Sequence, residues 1–174
     1  MTLTLTALPL HAPGAPTLPD LHGHPPRVVL DTGVVVSALL FGGPVAGRLR
    51  RAWRHGFCRP VVCRDTLLDL TRQLGQPQLG LSVVEQQQLL GEYLPYVLKV
   101  RAALPETADA VPAGLVFVQL AMAGQAHVLV TSDTSLLAMA DRLPFAVLAL
   151  EPFLHLLRTT PIQAVPLRAA SLRR

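Results

Sequence analysis

Three carboxylates stand out in a chain with few charges: Asp31, Asp69 and Asp133. Asp31 closes the run R-V-V-L-D, Asp69 lies in D-T-L-L-D-L, and Asp133 follows V-L-V-T-S. Acids gathered without a basic partner repel one another. The usual remedy is a hard divalent cation, because Mg²⁺ and Mn²⁺ take oxygen ligands. Such an ion can activate a water and stabilise phosphoryl oxygens during hydrolysis, which is the chemistry these residues would serve together. Each acid also has a structural alternative. Asp133 is placed to cap a helix starting at Thr134, and Asp69 can pair with Arg72 or Gln73 one turn on. Asp31 is the hardest to assign a structural duty, since a carboxylate straight after a β-branched run near a core is costly without a partner.

The elements needed to position these acids follow from the pattern of apolar residues. Val28 to Asp31 reads as a buried strand, Val34 to Leu40 as a short helix stopped by Gly42-Gly43, and Pro44 as the first residue of a second helix. In that helix Val45, Leu49, Ala52 and Trp53 form an apolar stripe opposite Arg48, Arg50, Arg51 and Arg54. Phe57 to Cys63 is a strand candidate and Asp65 to Leu74 a helix. Ser82 with Glu85 three residues on marks a capping box for a helix running to Leu94. Helix Ala113 to Ala123, strand His127 to Thr131, helix Thr134 to Ala140, strand Phe145 to Leu148 and helix Glu151 to Leu157 complete the series. Strands alternating with helices predict an α/β fold of three layers with a central, mainly parallel sheet. Acids at strand carboxyl ends then lie where open α/β sheets bind ligands.

Composition narrows the function classes. With 51% hydrophobic and 15% charged residues, the chain has a sparse surface charge that suggests a buried face, from a homodimer or a protein partner. The basic residues are nearly all arginine, and six fall between Arg48 and Arg64 with no acid until Asp65. Arg48, Arg50, Arg51 and Arg54 could track an RNA backbone, or form the solvated face of an amphipathic helix. Cys58 and Cys63 lack the companions of a zinc site or disulfide framework and read as reduced core thiols. His55, His127 and His155 are lone histidines to which no role is assigned. The longest apolar run, Val34 to Phe41, is too short to span a membrane, so a cytoplasmic protein is expected. Residues 1–26, broken by six prolines and lacking a basic start, read as a disordered leader and not as a signal peptide. One domain is expected over 27–157, with a basic tail over 158–174.

Taken in order, R-V-V-L-D-T-G-V-V-V-S-A-L-L-F-G-G-P, D-T-L-L-D-L, A-M-A-G-Q-A-H-V-L-V-T-S-D-T-S-L-L and E-P-F-L-H-L-L resemble the PIN-domain family in its toxin-component branch. The resemblance runs from Arg27 to Leu157. It implies a three-layer α/β fold, a Mg²⁺- or Mn²⁺-dependent ribonuclease, a small antitoxin partner and a dimer. It assigns Asp31 to the family's first metal-binding acid, Asp69 to the second, and Asp133 to the acid after the late strand. Asp31 and Asp133 would hold the metal directly, while Asp69 would orient a water or a second ion. The chain departs from the family at Gly33, where Asn is usual. It departs again at Ala113-Gly114-Leu115-Val116-Phe117, where an acid normally opens the helix, and at Ser135, where another acid often stands. Losing ligand carboxylates should weaken metal binding, unless Glu106 or Asp109 in the preceding loop substitutes. Two outcomes stay open: a weakened nuclease, or an inactive module that binds RNA or an antitoxin. Asp31-Thr32-Gly33 also spells the aspartic-protease tripeptide, but that fold is almost all β and this chain is rich in helical segments.

Overall fold

The computed structural model describes residues 24–102 and 113–160. Five strands form one parallel sheet: β1 (Arg27–Leu30), β2 (Arg59–Val62), β3 (Leu98–Lys99), β4 (Val128–Val130) and β5 (Ala146–Leu148), in the order β3-β2-β1-β4-β5. The helices are α1 (Thr32–Leu40), α2 (Pro44–Arg54), α3 (Arg64–Leu74), α4 (Val83–Gly91), α5 (Ala113–Ala123), α6 (Thr134–Leu137) and α7 (Leu150–Thr159).

Alternate strand residues feed two separate cores, which is why the central strands read as unbroken apolar runs. Val28, Leu30, Val62, Val128 and Val130 face α1, α2, α3 and α7, with Leu39, Leu49, Trp53, Leu70 and Phe153 packed on them. Val29, Val61 and Leu129 face the opposite way, onto Phe117, Leu120 and Ala121 of α5 and Leu136 of α6. The layers are therefore helix, sheet, helix, as the alternation of elements predicts. Gly124 lets the end of α5 press on the sheet, since a Cβ there would fall 2.6 Å from Val61 Cγ1.

The helix boundaries have local causes. Asp31 caps α1 by accepting from Gly33 N at 2.9 Å. Gly43, at φ 117°, makes the turn into α2, and Pro44 supplies its first residue. The Ser82–Glu85 capping box is present at the start of α4. That helix stops at Gly91, short of the expected Leu94, and a 3₁₀ turn over Leu94–Tyr96 carries Pro95. The chain then adds β3, which pairs through Val61↔Leu98 and Val62↔Lys99. A strand of two residues has no periodicity to read, so the sequence gives no sign of it. The second strand is likewise shorter than expected, Arg59–Val62 in place of Phe57 to Cys63, because Phe57 and Cys58 turn back to bond Ala52 O. The sixth helix ends at Leu137 in place of Ala140, where the chain tightens into the 3₁₀ turn Ala140–Arg142. Most of the leader, Glu106, Asp109 and most of the basic tail lie outside the described residues. No single helix among the described residues is long and apolar enough to cross a membrane.

Candidate active site

The chain runs β1, β2, β3 toward one side of the sheet, then returns to place β4 on the other side of β1. Strand order therefore reverses between β1 and β4, and the crevice outside their carboxyl ends is where such folds bind ligands. Asp31 follows β1 and Asp133 follows the Val128–Val130 strand, so both acids reach this crevice.

A residue between them ties the two together. The Thr131 hydroxyl, on a residue 1% exposed, donates to Asp31 Oδ2 at 2.7 Å and accepts from Asp133 N at 3.0 Å. Asp31 N in turn donates to Val130 O at 2.9 Å, closing the two strand ends on each other. Asp133 Oδ1 accepts from Ser135 N at 2.8 Å, so Asp133 does cap the Thr134 helix. Its exposed side chain leaves further lone pairs toward solvent, as does half-buried Asp31. Thr131 was not singled out from the sequence. Its signal was present in T-S-D, a hydroxyl two residues ahead of an acid at a strand end.

Asp69 lies on α3, one turn beyond buried Thr66. It accepts from Gln73 Nε2 at 3.0 Å and stands 3.7 Å from Arg72 Nη1. Both helical partners expected from the spacing are in place. Among the described residues no three Asp, Glu, His or Cys side chains are grouped so as to share one metal ion. Gly114, in the stretch at the start of α5 where the family resemblance implies an acid, faces apolar packing: a Cβ on it would meet Leu136 Cγ at 3.0 Å.

Among the described residues the donor set would suit a single hydrated Mg²⁺ or Mn²⁺ better than a multi-carboxylate cage. Mg²⁺ keeps several waters and commonly binds through one or two carboxylates plus substrate phosphates. Asp31 and Asp133 are the described residues that could serve it.

The arginines of α2 divide. Arg50 Nη1 donates to Ala38 O at 2.7 Å, fastening α2 to the end of α1. Arg48 and Arg51 line a cleft against α7, and Arg54 is exposed. Burial pushes the Cys58 thiol up to about 12, so it is an inert core thiol, as the sequence suggested. His127 Nδ1 accepts from Arg27 N at 3.0 Å, a structural bond at the amino end of the sheet.

The fold and this crevice define an open α/β protein with carboxylates at its switch point. Residues 27–135 match the family model of the PIN domain, more than half of the chain, and the chain belongs to that family. Among solved structures, a chain of VapBC2 from Rickettsia felis, described as bound to a DNA fragment from their promoter, is similar. It has 14% identity and a TM-score of 0.50 over 71% of this chain and 98% of that one. PAE2754 from Pyrobaculum aerophilum is 17% identical, with a TM-score of 0.48 over 85% of this chain and all of that one. No curated protein matches.

Proposed function

We propose that this PIN-domain protein is a Mg²⁺- or Mn²⁺-dependent endoribonuclease of the toxin type, with metal affinity and turnover lowered by its reduced acid set. The observation that carries this reading is the shared Thr131 hydroxyl, which holds Asp31 and Asp133 at one switch-point crevice. A bound divalent ion would supply charge stabilisation to the phosphoryl oxygens. The protein's own part is positional. Thr131 fixes the Asp31 carboxylate through Oδ2, and the Gly33 amide fixes it through Oδ1, so neither rotates away from the crevice. The Ser135 amide orients Asp133 in the same way. Asp69 would orient a water near the edge after releasing Gln73, while the arginines of α2, which lie away from this crevice, would add only long-range attraction for RNA. A cytoplasmic setting, a homodimer and an antitoxin partner go with this reading. The likeness to a VapBC2 chain supports the antitoxin.

A second reading, an inactive module that binds RNA or an antitoxin, is favoured by one observation. Gly114, in the acid-free stretch at the start of α5, faces Leu136 and not a polar crevice. Mn²⁺ calorimetry on wild type and Asp31→Asn, with an RNA-cleavage assay on the same samples, separates the two. The nuclease reading expects wild type to bind and cut, and Asp31→Asn to lose both by about tenfold or more. Wild type that neither binds Mn²⁺ nor cuts overturns it and leaves the binding module.

A further inference from the structure

At the amino-terminal edge of the sheet, opposite the acids, α2 and α7 leave a cleft of about 410 Å³. The position follows from the chain path. Phe57 N and Cys58 N bond back to Ala52 O just before β2 begins, and Arg59 N bonds Pro26 O just before β1. Helix α7 leaves the carboxyl end of β5 and runs back to the same edge.

The walls of this cleft are of two kinds. Leu154 and Leu157 of α7, with Phe57 at 40% exposure, give an apolar surface. Arg48, Arg51 and Arg158 give three guanidinium groups, and no carboxylate lines the cleft. None of the three is in an ion pair among the described residues. Arg48 Nε is buried without a hydrogen-bond acceptor among them, although a buried donor is ordinarily satisfied. An occupant that matches this surface must bring both apolar bulk and acceptor anions.

We propose that this cleft docks a segment of a partner protein in which carboxylates alternate with bulky apolar side chains. Leucine- or phenylalanine-sized groups would cover Phe57 and Leu157, and carboxylates would pair with Arg51 and Arg158 and satisfy Arg48 Nε. Charged arginine forks bind carboxylates bidentately, which gives such a site direction as well as attraction. A nucleic-acid strand fits less well, because apart from Phe57 the apolar wall is leucine and alanine, which offer bases no stacking face. The inference does not rest on the ribonuclease reading, since the cleft and the acids occupy opposite edges of the sheet.

The test is to select twelve-residue peptides from a random phage-displayed library on the full chain. Binding of the enriched peptide is then measured by fluorescence polarisation. Selected peptides should interleave Asp or Glu with Leu, Phe or Trp. Arg51→Glu and Arg158→Glu should each weaken binding about tenfold or more. Both arginines are exposed, so the variants should unfold at the wild-type temperature, and Arg51→Lys should retain part of the affinity. Selected peptides without an excess of acids, or affinity unchanged by both charge reversals, would overturn the proposal. So would a twelve-nucleotide single-stranded RNA that binds with the same dependence on Arg51 and Arg158.

Discussion

The two edges of the sheet are built in opposite ways. At the carboxyl edge, Asp31, Thr131 and Asp133 belong to two adjacent strand ends; the bonds from Gly33 N and Ser135 N are local to a turn, and the Thr131 hydroxyl ties one strand end to the other. At the amino edge, the cleft is made by α2 and α7, helices about a hundred residues apart in the chain, brought together by packing. The first edge is polar and acidic, the second apolar and cationic. The difference shows that a parallel sheet separates its chemistry into poles. Strand ends deliver capping carboxylates to one pole, while helix ends with basic last turns gather at the other.

The comparison breaks most readily at Trp53. This side chain is fully buried on the inner face of α2, edge-on to Tyr93 with ring centroids 5.2 Å apart. Trp53→Ala should cost about 3–5 kcal/mol, read by urea unfolding. A loss below about 1 kcal/mol would mean that long-range packing does not hold the amino edge. Thr131→Val tests the other pole. It removes the hydroxyl from Asp31 Oδ2 and from Asp133 N and should cost about 2–3 kcal/mol, because one of the lost bonds is to a carboxylate. Thr131→Ser should recover most of that in the same unfolding assay. If valine is tolerated as well as serine, the carboxyl edge is not held by the hydroxyl.

The smallest expected effect is one of pH. Burial, then the neighbouring Arg27 charge, lowers the pKa of His127 below its ordinary value of 6.5. A histidine whose folded pKa is depressed is neutral in the fold, while the unfolded chain takes up a proton first. Stability should therefore fall as pH drops through 6.5 and level off below the folded pKa. Replacing His127 by Gln should flatten this segment of the stability profile, measured by thermal unfolding between pH 8 and 5. An unchanged slope would place the titration elsewhere.

Much of the fold was legible because its signals are short-range. The buried runs at β1 and Val128–Val130, the glycine pair ahead of Pro44 and the Ser82–Glu85 box each announce their element within a few residues. The N-cap role of Asp133 and the helical partners of Asp69 followed from spacing in the same way. The boundaries that shifted, at Gly91 and Leu137, are places where a 3₁₀ turn replaces the last turn of a helix. Such endings depend on what the turn packs against.

What the sequence determined by itself is the alternation of elements and the arrival of Asp31 and Asp133 at strand ends. Both depend on propensity and hydrophobic period, which act over a turn or two. What only the tertiary structure decided is which groups meet. The Thr131 hydroxyl reaches Asp31 across one hundred positions of sequence, Gly114 faces Leu136, and Arg48 and Arg51 face Arg158 across a cleft. Those encounters depend on strand order and on how helices pack on the sheet, and no local pattern in the chain encodes either.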